Sequence, residues 1–430
     1  MFALSVTLGA FGLILLCARV RVPLGLSIVL GSAAVGLGFG LDGPQLARAA
    51  WSGATAPQTI ALALVTALLL GLSVLMRESG RLEEIVTLAH GMLRRPVATM
   101  VAMPALIGLL PMPGGAIFSA PMVESASGRS EVARSLLSSI NYWFRHIWEF
   151  FWPLYPGVLL AMALTHRAIP AWTALMIFGT AAMFLGGLVM LRGIPADLQA
   201  PSAPPPAGTK RRLLGATASI WVILLGWGAA YLLAGLLLDR VPADSLPGMI
   251  LKHGPLVIGL LGSILWTVLG GGLGREALRK AFWQPGTYSL AGLIFAILIF
   301  QHTLEAVDAP SRIAAELQNL HVPLVLVVAI LPFIAGFVTG IAVGFVGTAL
   351  PIVLNLVGAV DGAAGAFAYI PLSYTFGHLG QMMSPIHVCQ IVSNRYFGTT
   401  YGPVYRHILP SALITALLNI GYFLFLRWMY

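Results

Sequence analysis

Long apolar runs alternate with short polar connections along the chain. A helix needs about 20 apolar residues to cross the hydrocarbon layer of a membrane. Runs of about this length occur at 2–18, 22–41, 56–76 and 169–191, and again at 213–238, 255–272, 288–303 and 408–425. Each run is predicted to be a transmembrane helix.

Two further apolar segments, 96–126 and 322–354, are interrupted near their middles. Two prolines and two glycines lie within 111–115, and four glycines lie within 336–347. Proline and glycine are unfavourable inside a helix. Two short helices joined at such a tip predict a re-entrant hairpin, which enters and leaves the membrane on the same side.

A twelve-residue stretch occurs twice, at 142–153 and 374–385, with a constant offset of 232. The tyrosine, phenylalanine, histidine and proline at its first, third, fifth and last positions are shared. Each copy is predicted to lie on a helix broken at its proline, at about 132–165 and 365–392. Each half then holds five spans and one hairpin, and an odd number of spans predicts inverted repeats. The repeats would be 1–192 and 213–430, joined by a cytoplasmic proline-rich linker at 193–212.

Composition places the chain in the class of integral membrane proteins. It is 58% apolar and only 9% charged, whereas a soluble domain is about 25% charged. The fold class predicted is therefore all-α and polytopic. The net charge of +9 comes from basic residues between spans, where they set orientation. Their distribution predicts a multi-pass protein of the bacterial inner membrane with both termini periplasmic, and no nucleic-acid partner.

Broken helices leave unpaired backbone groups that can hold ions. Free N–H groups at helix N-termini attract anions, and free carbonyls at C-termini attract cations. Non-helical backbone at membrane depth is either buried in protein or lines a cavity. An alternative is that the tips are only glycine packing faces and the breaks only proline kinks. The substrate-binding candidates at the tips and breaks are Pro113, Gly114, Gly115, Ser119, Thr339, Gly344, Gly347, Thr348, Ser384 and His387.

Ionisable residues inside the membrane are usually functional. The coupling candidates are Arg145, His146, Glu149 and His378. Arg145 and Glu149 are four residues apart and could simply neutralise each other. His146 and His378 are matched in the repeat, which favours a shared structural hydrogen bond over a proton relay, and both roles stay open.

The two cysteines, Cys17 and Cys389, lie in apolar surroundings. They indicate neither a disulfide framework nor a metal cluster. No cofactor or metal is therefore expected, apart from a coupling H⁺ or Na⁺.

The architecture resembles the ion transporter superfamily, which includes sodium/dicarboxylate symporters, citrate carriers, gluconate permeases and arsenite-efflux carriers. The segments LPMPGGA at 110–116, FSAP at 118–121, 141–157 and 377–387 resemble an uncharacterised prokaryotic integral membrane family placed in that superfamily. The resemblance implies a homodimer, a scaffold domain and a transport domain that moves like an elevator. The sodium/dicarboxylate branch carries Ser-Asn-Thr at its tips, where this chain has Pro-Gly-Gly at 113–115 and Gly-Thr at 347–348.

These features predict a secondary active transporter that moves a small anionic organic solute by alternating access, with proton or sodium coupling. One alternative is a membrane-embedded metal-dependent enzyme, because His146 and Glu149 have the i, i+3 spacing of a metal pair. Another is a passive channel. The sequence contains no Gly-x-Ser-x-Gly, His-Glu-x-x-His or Gly-x-x-x-x-Gly-Lys-Ser/Thr motif. It is therefore expected to be neither an enzyme nor an ATP-driven pump.

Overall fold

In the computed structural model the described residues form helices joined by turns and short connections, and they contain no β-strand. The described residues are 2–93, 95–109, 115–128, 132–195, 198, 208–238, 246–309, 312–313, 315–316 and 323–429. The helices of the first half are α1 Phe2–Arg19, α2 Leu24–Gly38, α3 Gly43–Thr55, α4 Pro57–Glu78, α5 Arg81–Met92, α6 Pro96–Gly108, α7 Ala116–Ser127, α8 Arg134–Arg145, α9 Pro156–Leu164 and α10 Ile169–Gly187. Those of the second half are α11 Thr209–Ala216, α12 Ala218–Leu238, α13 Leu246–Gly270, α14 Arg275–Phe282, α15 Pro285–Ala306, α16 Leu324–Thr339, α17 Ala342–Thr348, α18 Leu350–Met382, α19 Val388–Phe397 and α20 Tyr401–Met429.

The outer surface of the helices is apolar, as lipid contact requires. On α12 the side chains of Leu225, Leu232 and Leu236 are each more than 70% exposed. Among the described residues, five helical segments are long and apolar enough to cross a membrane, and a bent pair would make six. Five further apolar helices are shorter, with 10–17 residues. The chain is therefore a multi-pass helical membrane protein, while ten spans stay a prediction.

The two predicted hairpins correspond to two places where apolar helices fold back. The helices α6 and α7 pack together. Residues 110–114 of their connection lie outside the described residues, and Gly115 is the last residue before α7. In the second half, α16 ends before Gly340, whose φ of +66° is left-handed and favours glycine. The chain continues through α17 and bends by 40° into the first part of α18.

The second hairpin ends later than expected. Its return limb continues through α18 as far as Gly362, where φ is +70° and the helix is kinked, whereas the sequence predicts an end near 354. A glycine reaches this conformation without a Cβ clash, so the kink falls there. Whether either hairpin is re-entrant stays a prediction.

Both repeated stretches coincide with breaks between helices. The helix α8 ends at Arg145, a 3₁₀ turn covers Ile147–Phe150, and α9 begins at Pro156. In the second half α18 ends at Met382 and α19 begins at Val388. Pro153 and Pro385 lie within the breaks because proline lacks the N–H that a continuous helix needs.

The helix boundaries keep the spacing of the sequence repeat. The starts of α9 and α19 are 232 residues apart, and so are the starts of α10 and α20. The inverted orientation of the two halves stays a prediction.

Two glycines let helices cross at backbone contact beside the breaks. A Cβ on Gly108 of α6 would lie 2.1 Å from the carbonyl oxygen of Arg145, and one on Gly336 of α16 would lie 2.1 Å from that of Gly377. Arg145 and Gly377 are equivalent positions of the repeat. Each half thus packs the first arm of its hairpin directly on its broken helix.

The proline-rich linker is shorter than expected at its C-terminal end. Helix α11 begins at Thr209, so the basic residues 210–212 are helical, whereas the sequence analysis placed them in the linker. Three basic side chains do not prevent a helix, since lysine and arginine are good helix formers. The proline cluster at 201–206 lies outside the described residues.

The glycine contacts lead to a stability prediction. Gly108→Ala or Gly336→Ala should destabilise the protein by about 1–3 kcal/mol, because the new methyl group would overlap a backbone carbonyl that cannot move aside. Gly421→Ala is the matched control, since nothing lies within 4 Å of its would-be Cβ. Thermal unfolding in detergent, followed by tryptophan fluorescence, should show lower midpoints for the first two variants only. Equal midpoints for all three variants would contradict the packing.

Candidate functional site

A cavity of about 750 Å³ lies where the two broken helices meet. Its walls come from α2, α15, the break after α8, the start of α9, the segment 340–343 and the break before α19. Its polar lining residues are Arg145, His146, Glu149, Tyr155, Tyr288, Ser289, Gln381, His387 and Cys389. A second cavity of about 900 Å³ beside α6 and α10 has an almost wholly apolar lining. The first cavity is the candidate site because Arg145, His146, Glu149 and His387 line it together, and it is called the polar cavity below.

Glu149 joins the two broken helices. The residue is only 7% exposed, and Gln381 Nε2 donates a hydrogen bond of 2.9 Å to its Oε2. Nδ1 of His378 lies 3.6 Å from the same oxygen. The backbone oxygen of Glu149 accepts a hydrogen bond of 2.7 Å from Tyr374 Oη. Three residues of α18 thus contact Glu149 of the first half, two of them through hydrogen bonds.

Two histidines face each other across the breaks. His146 Nδ1 lies 2.7 Å from the Tyr142 backbone oxygen, and because a carbonyl only accepts, Nδ1 must carry a proton. In a neutral ring Nε2 is then an acceptor. That Nε2 lies 3.1 Å from Nε2 of His387 and 3.8 Å from Oε1 of Glu149. Nδ1 of His387, on a side chain 5% exposed, has no hydrogen-bond partner among the described residues.

Arg145 brings a buried positive charge to the cavity. The residue is 2% exposed, and a Cβ on Gly115 would lie 2.5 Å from its Nη2 atom. Only glycine therefore lets the start of α7 approach the guanidinium this closely. Beside it, Tyr155 Oη donates a hydrogen bond to the backbone oxygen of Gly108.

Two helix N-termini also border the cavity. Pro156 and Gly157 open α9, His387 is the N-cap residue of α19, and Val388 and Cys389 follow it. The first-turn N–H groups of a helix have no intrahelical partner and carry partial positive charge. The cavity thus combines one guanidinium, two helix N-termini, two imidazoles and one carboxylate.

The structure places the predicted residues in two groups. Arg145, His146, Glu149 and His387 line the cavity. His378 contacts Glu149. Ser384 packs against Gly340, which lines the cavity, because a Cβ built on Gly340 would lie 3.0 Å from Ser384 Oγ. Gly115 packs against the guanidinium of Arg145, and Arg145 lines the cavity.

The other predicted binding residues are engaged within or between helices. The hydroxyl groups of Ser119, Thr339 and Thr348 donate to backbone oxygens of their own helices. A Cβ on Gly344 would meet Thr339, and one on Gly347 would meet the Ile297 side chain. Pro113 and Gly114 lie outside the described residues.

Sequence reasoning missed several members of the site. Gln381 carried a signal, since it occupies the position in the repeat that matches Glu149. Cys389 follows His387 at a spacing of two. Its apolar sequence surroundings did not indicate that it lies near both His146 and His387. The three ligand atoms of His146, His387 and Cys389 all lie within 4.8 Å of one another.

The fold and the cavity define a multi-pass helical membrane protein with a polar internal site. The chain belongs to the family described as "Protein of unknown function (DUF401)", whose model matches residues 3–203 and 249–425. Membership of the wider ion transporter superfamily stays a prediction. No curated protein matches the chain.

One similar solved structure is that of the Alcanivorax borkumensis YdaH transporter, described as having an unusual topology. It is 16% identical in sequence, covers 89% of this chain and 88% of its own, and has a TM-score of 0.45. At this similarity the comparison assigns no function to the present chain.

Replacing the amide that holds the carboxylate should destabilise the fold. Gln381→Leu removes a buried hydrogen bond to Glu149, and such a bond to a charged group is worth about 1.5–3 kcal/mol. Gln301→Leu is the matched control, because Gln301 donates at 3.0 Å to Glu305 in an exposed pair. The free energy of unfolding in detergent should fall for the first variant and change by less than about 0.5 kcal/mol for the second. A similar small change in both variants would contradict the role of Gln381.

Proposed function

We propose that the protein is a secondary active transporter that moves a small anionic organic solute across the membrane by alternating access. The observation that carries this proposal is the arrangement of Arg145, His387 and two helix N-termini around one cavity at the junction of the broken helices. Paired interruptions at matching places in two halves are the best sequence pointer to a transporter site. A volume of about 750 Å³ suits a small organic molecule.

The charges of the cavity favour an anionic solute. A guanidinium stays protonated in proteins and can bind a carboxylate through two parallel hydrogen bonds. The N-termini of α9 and α19 add free N–H donors, which commonly bind anions. Nδ1 of His387 adds a polar atom that has no partner among the described residues. In this scheme the tip and kink residues pack between helices and so shape the site without binding the solute. These residues are Ser119, Thr339, Gly344, Gly347 and Thr348.

Glu149 is the proposed coupling group. Gln381 occupies its Oε2, which leaves Oε1 as the atom that takes up a proton. Protonation removes a negative charge beside the anion, so proton and solute would bind together. His146 and His378 lie within 4 Å of the carboxylate. In this scheme sodium is not required.

The remaining sequence expectations complete the proposal. The hairpins and broken helices would form a transport domain that moves like an elevator against a scaffold domain. The protein would act as a homodimer in the bacterial inner membrane, with both termini periplasmic. A passive channel would differ by a turnover far above that of a carrier.

Transport current from proteoliposomes on a solid support tests the proposal. The solute panel comprises mono- and dicarboxylates, sugar acids, phosphonates and amino acids, each with and without pH and sodium gradients. A saturable current driven by the pH gradient and insensitive to sodium is expected for one anionic class. Absence of current and of isotope exchange for every solute would contradict the proposal.

Glu149→Gln should separate coupling from binding. This variant should lose at least 90% of the proton-driven current yet keep exchange of labelled solute against unlabelled solute, because the amide cannot take up the proton. Glu305→Gln is the control, since Glu305 is an exposed carboxylate on α15. A Glu149→Gln variant with an unchanged proton-driven current would exclude this residue from coupling.

A further inference from the structure

Three potential metal ligands converge at one end of the polar cavity. They are the side chains of His146, His387 and Cys389, each at most 6% exposed, with ligand atoms within 4.8 Å of one another. We propose that these residues bind a transition-metal ion of the zinc class. This site goes beyond the proposed transport function and departs from the expectation of no metal drawn from the sequence.

The separation of the two imidazole nitrogens suits a shared ion. Zinc–nitrogen bonds are about 2.0–2.1 Å long, so two such ligands of a tetrahedral ion lie about 3.3 Å apart. The Nε2 atoms of His146 and His387 are 3.1 Å apart. A small inward movement of the thiolate completes three ligands without moving the helices, because Cys389 lies on the first turn of α19.

The tautomer of His146 is already set for metal binding. Its Nδ1–H donates to the Tyr142 backbone oxygen at 2.7 Å, which is the outer hydrogen bond that ligating histidines usually make. The lone pair of Nε2 is therefore directed at His387. Without an ion, one of the two facing Nε2 atoms must carry a hydrogen, whereas an ion between them uses both lone pairs.

The surroundings supply charge balance and an entry path. Oε1 of Glu149 lies 3.8 Å from Nε2 of His146, so its negative charge lies beside the ion without being a ligand, and a water molecule can take the open fourth position. The Cys389 thiolate and the nearby Glu149 carboxylate together offset the two charges of a divalent ion. All three proposed ligands line the cavity, so an ion can reach them through it.

The ligand set selects the class of metal. Imidazole and thiolate favour zinc, cobalt and copper, whereas magnesium and calcium prefer oxygen ligands. Cobalt(II) is a useful probe because it takes the same tetrahedral geometry and gives an absorption band when bound by a thiolate. The band therefore reports on Cys389 directly.

Cobalt titration of chelator-treated protein in detergent tests the site. Wild-type protein should bind one Co²⁺ per chain, with a thiolate-to-cobalt charge-transfer band that Zn²⁺ abolishes. Cys389→Ser should lose the band, and His387→Gln should weaken Co²⁺ binding at least tenfold. Cys17→Ser is the matched control and should behave as wild type, because Cys17 lies on α1, far along the chain from both histidines and outside the cavity lining.

Two results would overturn the metal site. One is the absence of a band in wild-type protein, and the other is an undiminished band in Cys389→Ser. The thermal unfolding midpoint of each metal-free variant shows whether a loss reflects misfolding. Because the readout needs neither solute nor membrane, cobalt binding without transport would reject only the proposed function, and transport without cobalt binding would reject only the metal site.

Discussion

A buried carboxylate inside a membrane protein is the constraint on which the rest of this structure depends. An ionisable group at membrane depth is costly unless other groups satisfy it. The Glu149 carboxylate accepts a hydrogen bond from Gln381 and has His378 3.6 Å away, and the backbone oxygen of Glu149 accepts one from Tyr374; all three residues come from the second half of the chain. These contacts hold the two halves together at the breaks.

The breaks and the glycines follow from the same requirement. Polar backbone at the breaks is tolerated because it lines an internal cavity rather than facing lipid. The contacts at Gly108 and Gly336 bring α6 and α16 against the broken helices at the matched residues Arg145 and Gly377. Gly115 then lets the first hairpin reach the Arg145 guanidinium. Small residues thus create the space in which charged side chains meet.

Much of this arrangement can be read from the sequence, because the apolar runs and proline positions determine where helices begin and end. The repeat spacing of 232 reappears in the starts of α9 and α19. The repeat also matches Glu149 with Gln381, but only the structure shows that the two side chains form a hydrogen bond. Cys389 could not be placed, since its direction depends on non-helical backbone before α19. The hydroxyl groups of Ser119 and Thr348 bond within their own helices, a choice that sequence spacing does not reveal.

Access to Cys389 from the two sides of the membrane tests the central claim most directly. In a Cys17→Ser background, oriented vesicles would be treated with a small membrane-impermeant thiol reagent from either face, with chelator present throughout. Alternating access predicts that the reagent reaches Cys389 from both faces and that a transported solute slows the reaction. Labelling from neither face, with full labelling after denaturation, would contradict a cavity that opens to each side in turn.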